Sequence, residues 1–265
     1  MKKVSTLIAF LSVCLMAHAQ KSYTHSLSGI KKVVVSSNTT MEFKTGNSNE
    51  LVIGHIETKD GHQHHDHNDD QIDERAKGLT PIYAGGNDNT NGFGFSVEKE
   101  GDVLKVKDLK SFMQRSGLRF TLPKGIDLSI DTGNLGSADV NGFDSDIEVN
   151  SNVGGVVLTN VTGPITARTS TGNIEVVFTE VNQTSPISLR SSTGAVDVSL
   201  PANTKANLEL KSTMGNVFTD FDVKYQQEEG MKVVGANRKI DTQINGGGVL
   251  IKLSSSVGNV YLRKK

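Results

Sequence analysis

The chain has very little cysteine, no tryptophan and few aromatic residues. Cys14 is the single cysteine among 265 residues, and Phe and Tyr together make up 5% of the chain. A mature chain that lacks Cys14 contains no disulfide, no thiolate metal site and no cysteine nucleophile. The scarcity of aromatic rings argues against a sugar-stacking lectin site and against a platform for single-stranded nucleic acid.

Neither charge sign is in excess, and long apolar runs are missing. Lys and Arg number 28 against 29 for Asp and Glu, which gives a formal net charge of −1. This balance argues against a global field that would attract nucleic acid or an anionic membrane. No segment reaches 18 consecutive apolar residues, so we expect no transmembrane segment.

Residues 1–19 have the pattern of a secretory signal peptide. Two lysines precede the apolar run LIAFLSVCLMA, and AHA at 17–19 is a small-x-small cleavage site. We therefore expect an exported chain that starts at Gln20 and is periplasmic, outer-membrane-associated or secreted. The alternative is a lipoprotein in which LSVC is a lipobox and Cys14 is lipidated, although Val13 suits a lipobox poorly.

A short phrase recurs in the second half of the chain: RTSTGNIEVVF at 168–178, RSSTGAVDVSL at 190–200 and LKSTMGNVFTD at 210–220. Its glycines recur roughly every 20 residues, with a last interval about twice as long. We expect them to be structural turn glycines: Gly133, Gly154, Gly172, Gly194, Gly215 and Gly258. Such a period is typical of a solenoid, whose coils bury their apolar faces only by stacking.

The residues between these glycines alternate apolar and polar, which is the period of a β-strand. Ile174, Val176 and Phe178, for example, are predicted to point inward. The sequence thus predicts an all-β, right-handed β-solenoid-like stack of coils of about 21 residues with an N-terminal β-rich capping region. We expect coils to stack in chain order, and the terminal NVYLRKK to blunt the far end.

The predicted organisation has three parts. A signal peptide (1–19) precedes an N-terminal β-rich region (20–120), which contains a His-rich polar loop (58–92). The repetitive β-solenoid domain follows at 121–265. Its segment 221–248 is polar and irregular at its centre, and we interpret it as an enlarged coil with a protruding hairpin or loop.

Two stretches resemble a known family: LRFTLPKGIDLSIDTGN at 118–134 and NSNVGGVVLTNVTGPITARTSTGNIEV at 150–176. They are similar to the bacterial putative-adhesin family of unknown function, DUF4097. The resemblance covers about 115–265, with 28–57 as the leading strands. It implies a β-solenoid-like domain at the cell envelope and carries over no catalytic residues. The AHAQ cleavage site is similar to signals common in Bacteroidota.

The polar loop contains GHQHHDHNDD at 61–70, the densest set of metal-ligating groups in the chain. Imidazoles and carboxylates at this density can chelate Zn²⁺, Cu²⁺ or Ni²⁺. The alternative is a solvated loop whose histidines titrate near their ordinary pKa. The candidate metal ligands are His62, His64, His65, His67 and Asp66.

Catalytic motifs are weak. Asp131 lies in the Asp-Thr-Gly triplet of aspartic proteases, but the triplet occupies a repeat slot, which predicts a corner residue. No Gly-x-Ser-x-Gly elbow is present, and His55 is predicted to be a strand residue. A glycan-active β-helix enzyme would draw on scattered acidic residues: Asp139, Asp144, Asp146, Glu148, Glu175 and Asp197.

Arg168 and Arg190 occupy equivalent positions one coil apart. They are predicted either to form a basic ladder or to pair with Glu175 and Asp197.

We expect no catalytic or cofactor-binding residues. The sequence favours a non-catalytic exported cell-envelope or surface protein, an adhesin or binding scaffold that presents a repetitive Ser/Thr/Asn-rich face. Its partner would be a glycan, a matrix component or another envelope protein, and not nucleic acid. The alternatives are a periplasmic metal-binding protein and a glycan-active enzyme.

Overall fold

Two ten-stranded sheets make up the described part of the chain, residues 22–56, 75, 78–79, 81–110, 117–223 and 238–265 of a computed structural model. Sheet A contains, in spatial order, β1 (Tyr23–Ser26), β4 (Glu50–His55), β7 (Leu118–Leu122), β3 (Met41–Thr45), β9 (Ala138–Asn141), β11 (Val156–Val161), β13 (Ile174–Phe178), β15 (Val196–Leu200), β20 (Val260–Lys264) and β17 (Val217–Thr219). Sheet B contains β18 (Arg238–Ile244), β16 (Ala206–Ser212), β19 (Val249–Val257), β14 (Ile187–Thr193), β12 (Ile165–Thr171), β10 (Ile147–Val153), β8 (Asp127–Asp131), β2 (Lys32–Ser36), β6 (Val103–Asp108) and β5 (Phe95–Glu100).

The chain builds rungs, each made of one strand in sheet B followed by one strand in sheet A. The pairs β8–β9, β10–β11, β12–β13 and β14–β15 are successive rungs, and equivalent strands pair in parallel. The inward residues of both sheets form one apolar core, in which Ile174, Val176 and Phe178 are fully buried. The predicted all-β, solenoid-like fold is confirmed, because period-2 alternation places one apolar face of every rung against the other sheet.

Rung order in space differs from rung order in the chain at both ends of the stack. The rung β2–β3 lies between β6–β7 and β8–β9, and the rung β19–β20 lies between β14–β15 and β16–β17. The expectation of stacking in chain order was therefore wrong at the ends. β19 pairs in register with β14 on one side and with β16 on the other, because rungs with the same inner pattern fit any neighbour.

Antiparallel strands close both ends of the stack. At the N-terminal end β1 and β4 extend sheet A, while β5 and β6 form a hairpin through the KEGD turn, where Gly101 has a φ of +63°. At the other end β18 pairs antiparallel with β16. β20, which contains the terminal YLRK, is paired on both sides and so does not blunt the edge as expected. The short β17 and the antiparallel β18 form that edge instead.

One corner of the stack is a column of closely spaced glycines. In spatial order they are Gly136, Gly154, Gly172, Gly194, Gly258 and Gly215. At each position after the first, an added Cβ would overlap the carbonyl oxygen of the preceding glycine. Gly133 lies outside this column: its φ is +59° and its missing Cβ faces Asn38. The repeat phrase therefore needs glycine mainly for close backbone approach between rungs.

A buried hydroxyl column runs beside the glycines. Three residues before its own glycine, each Ser or Thr donates a hydrogen bond to the glycine carbonyl of the neighbouring rung. Ser191 Oγ lies 2.8 Å from the Gly172 carbonyl oxygen, and Ser255 Oγ lies 2.8 Å from that of Gly194. The Ser/Thr-x-x-Gly spacing thus supplies a hydroxyl donor to the glycine carbonyl at five corners, those of Gly136, Gly154, Gly172, Gly194 and Gly258, where an unpaired carbonyl would be costly.

Candidate functional site

A groove of about 720 Å³ crosses the outer face of sheet B. It runs over β10, β12, β14, β19 and β16, a distance of about 19 Å at the usual strand spacing. We call it the basic groove. Hydroxyls line much of it, and its charged side chains are Arg168, Arg190, Glu209, Lys211 and Lys252. Its uncharged polar lining consists of Ser, Thr and Asn side chains, the residue types of the predicted repetitive face.

The cations of the basic groove follow from the repeat. Arg168 and Arg190 each lie four residues before a corner glycine, and alternation along the strand turns that position outward. Register pairs Arg168 with Arg190, Arg190 with Ser254, and Ser254 with Lys211. One row of equivalent positions thus carries two arginines on adjacent strands and a lysine two strands further on.

Only part of this positive charge is balanced. Glu209 lies 3.4 Å from Lys252 Nζ and 3.5 Å from Lys239 Nζ. Among the described residues, the side chains of Arg168, Arg190 and Lys211 make neither a hydrogen bond nor an ion pair. The groove therefore has four cations against one carboxylate, with three cations free to meet an anion.

The two carboxylates predicted as alternative partners of the arginines are elsewhere. Glu175 and Asp197 occupy one register row on the outer face of sheet A. Asp197 binds Arg263 through two hydrogen bonds of 2.8 Å, a bidentate pair. Of the two sequence-based alternatives for Arg168 and Arg190, the basic ladder is the one that the structure contains.

Glu42 and Asp139 are neighbours on the same face of sheet A. Burial raises the pKa of Glu42, but hydrogen bonds from Lys44 (2.6 Å) and Arg119 (2.7 Å) outweigh it, so this pKa lies below its ordinary value. Burial, together with the charge of Glu42, raises the pKa of Asp139. The Glu42 carboxylate is already bound by Lys44 and Arg119, so the charges of this face form a structural network.

A second, acidic groove of about 310 Å³ lies on sheet B. It contains Asp127, Asp146 and Glu148, with Lys32 Nζ 3.9 Å from Glu148. Burial and the neighbouring Asp127 raise the pKa of Asp146. Of the six scattered acidic candidates, the structure brings Asp146 and Glu148 to one groove.

The other candidate residues have structural roles or lie outside the described part. Asp131 accepts a hydrogen bond from the Gly133 amide (2.8 Å), and Asp144 accepts one from the Gly125 amide (3.0 Å). His55 ends β4 and stacks on Phe93, with ring centroids 5.2 Å apart. These contacts hold turns and the core.

The metal prediction concerns residues that the structure does not describe. His62, His64, His65, His67 and Asp66 lie outside the described residues, as does the predicted signal peptide. Within the described ranges no cluster of three or more His, Cys, Asp or Glu side chains suits a metal ion. The Zn²⁺, Cu²⁺ or Ni²⁺ site therefore stays a prediction.

Among the described residues, no helix is both long enough and apolar enough to cross a bilayer.

Sequence reasoning missed two of the groove's cations. Lys211 lies four residues before Gly215, the position that Arg168 and Arg190 take in their own coils. Alignment of the coils on their glycines is the signal that identifies it. Lys252 has no equivalent cation in the other coils that line the groove, where Glu148, Thr166, Ser188 and Glu209 take its position, so no repeat signal marks it there.

Comparison with known proteins agrees with the predicted family. No curated protein sequence matches the chain significantly. A putative cell adhesion protein from Clostridium sporogenes aligns in structure with a TM-score of 0.48 and 11% identity, over 93% of this chain and all of the other. A putative adhesin from Bacteroides fragilis aligns with a TM-score of 0.40 and 13% identity, over 94% and 98%. The model of the family described as Toastrack DUF4097 matches residues 94–262, and the chain therefore belongs to the Toastrack DUF4097 family.

Proposed function

We propose that this protein is a non-catalytic binding scaffold of the bacterial cell envelope, exported by its N-terminal signal. It holds a macromolecular partner on the outer face of sheet B. The observation that carries the proposal is the basic groove, where unpaired Arg168, Arg190 and Lys211 stand among hydroxyls. A glycan is the partner that such a surface suits best, since hydroxyl groups pair readily with hydroxyls.

The stacked fold supports binding by repetition along an extended surface. Each rung contributes one to three outward polar groups at a fixed spacing, and the hydrogen-bonded ladders hold them in place. A partner that spans several rungs gains several modest contacts together, as on other repeat proteins. A deep pocket is not needed for such binding, and the groove lies on the outer face of sheet B across five strands.

The runner-up function is a glycan-active enzyme that uses the acidic groove. The observation that favours it is the raised pKa of Asp146 beside Asp127, because a general acid needs a carboxyl group that stays protonated at higher pH. Against it, Asp146 is exposed and Glu148 lies close to Lys32. We therefore place binding before catalysis.

A glycan and envelope-polymer array probed with the mature chain tests the proposal. Ser188→Trp fills the floor of the basic groove, and Ser199→Trp places the same bulk on the outer face of sheet A. We expect Ser188→Trp to abolish binding and Ser199→Trp to preserve it. Failure of the parent to bind any polymer, or equal binding by both variants, contradicts the proposed site.

The bound polymers are then analysed by mass spectrometry after prolonged incubation. The scaffold proposal expects them to be intact. Shortened oligosaccharides that disappear with Asp146→Asn would replace the scaffold by the enzyme that uses the acidic groove.

A further inference from the structure

We propose that the basic groove binds an acidic polysaccharide, a carboxylate-bearing glycan chain that lies across the strands. This inference rests on the proposed function and names the ligand class of the same site. Its geometric basis is the row of Arg168, Arg190 and Lys211, which register places on β12, β14 and β16.

The spacing of the row suits a linear polyanion. Arg168 and Arg190 are on adjacent strands, about 4.8 Å apart, and Lys211 is two strands beyond Arg190, about 10 Å away. A chain that runs perpendicular to the strands passes each cation in turn. Its carboxylates can then engage two or three cations at once, while its hydroxyls meet the serines between them, such as Ser254.

Among the described residues, the side chains of Arg168, Arg190 and Lys211 have no charged partner that would explain them as structural. Like charges directly opposite each other on neighbouring strands destabilise a sheet, and Arg168 faces Arg190 in register. On the outer face of sheet A, by contrast, Arg263 pairs with Asp197 and Arg119 pairs with Glu42. An anion in the groove relieves the repulsion, and the guanidinium fork matches a carboxylate in bidentate geometry.

The lining favours a glycan over the other polyanions. Among the described residues, no aromatic side chain lines the groove, and single-stranded nucleic acid depends on stacking with such rings. The described lining contains no exposed apolar side chain either, whereas a lipid surface requires apolar groups that enter the acyl boundary. Serine and threonine hydroxyls, together with arginine guanidinium groups, are the hydrogen-bond donors that a uronate unit requires.

Isothermal titration with oligogalacturonate tests the inference, and its methyl-esterified form, which keeps the backbone but removes the charges, is the ligand control. The groove variant is Arg168→Gln/Arg190→Gln. Lys124→Gln/Lys205→Gln removes the same charge from exposed loop positions outside the groove. We expect parent affinity to fall with salt, the groove variant to lose at least about tenfold, and the loop variant to change less than about twofold.

A urea unfolding curve of the groove variant verifies that it folds, and Lys211→Gln gives a second variant at the far end of the row. Equal binding of the methyl ester, or an unchanged groove variant, overturns the inference. Tighter groove binding of single-stranded DNA or of phosphatidylglycerol vesicles overturns it as well. Neutral-glycan binding that Ser188→Trp abolishes would leave the proposed function standing and remove only the acidic ligand. Absence of any polymer binding removes both.

Discussion

The glycine column makes one substitution far more costly than its neighbour. In Gly172→Ala the new Cβ would overlap the Gly154 carbonyl oxygen and lie 2.6 Å from the Gly154 carbonyl carbon. Both atoms are backbone, so no side-chain rotation relieves the clash. Gly172 also has a φ of +152°, a region that side chains with a Cβ rarely adopt.

The expected loss of unfolding free energy follows from the backbone strain and from the separation of the two rungs. Backbone strain of this kind costs about 1–3 kcal/mol. Separation of the rungs also weakens the hydrogen bond from Thr169 Oγ1 to the Gly154 carbonyl (3.1 Å), worth about 1 kcal/mol. We therefore expect Gly172→Ala to lower the free energy of unfolding by about 3 kcal/mol, a large fraction of the 5–15 kcal/mol that is typical of a domain.

Gly155→Ala is the matched control, because the closest atom to its new Cβ is the Asn173 carbonyl oxygen at 3.7 Å, an ordinary contact. Urea unfolding followed by circular dichroism suits a chain without tryptophan. With an m-value of about 3 kcal/mol/M, the midpoint of Gly172→Ala should fall by roughly 1 M and that of Gly155→Ala should hardly move. Equal midpoints for the two variants would refute close packing at the corner.

Two further predictions use the same unfolding assay. Ser191→Ala removes the hydroxyl donor that lies 2.8 Å from the Gly172 carbonyl oxygen and should lower the free energy of unfolding by about 1–3 kcal/mol. Ser192 is exposed, so Ser192→Ala should change the free energy of unfolding by no more than about 0.5 kcal/mol. Equal effects of the two variants would contradict the hydroxyl column. Burial raises the pKa of Glu42, but hydrogen bonds from two cations keep it below 4.5, so Glu42→Gln should lower the midpoint at pH 7. That deficit should shrink as the pH falls through the folded-state pKa, and a deficit independent of pH would contradict it.

The sequence predicted the features that depend on local pattern. Alternation of Ile174, Val176 and Phe178 predicts a strand and its buried face, and the structure confirms both. The equivalent slots of Arg168 and Arg190 predict that they are neighbours, because coils in register bring equal positions together. Such features need only the repeat period and the two-residue period of a strand.

Features that depend on distant contacts were not predictable in the same way. Gly133 carries the local TGN signature, yet Gly136 joins the glycine column, because Asn38 from the β2–β3 connection occupies the space beside Gly133. Likewise, Gly258 lies between Gly194 and Gly215, since β19 inserts between β14 and β16. Each open edge of the stack presents a similar alternation of apolar and polar side chains. The sequence therefore does not determine which edge a later strand pairs with.

The placement of β2 and β20 one rung inside the stack also has a mechanical consequence. β20 is hydrogen-bonded to both β15 and β17, and β2 to both β6 and β8. A pull on the chain after β20 must therefore shear two ladders together, whereas a pull on the chain before β1 peels only the single ladder between β1 and β4. A load applied after β20 is thus carried by the interior of sheet A.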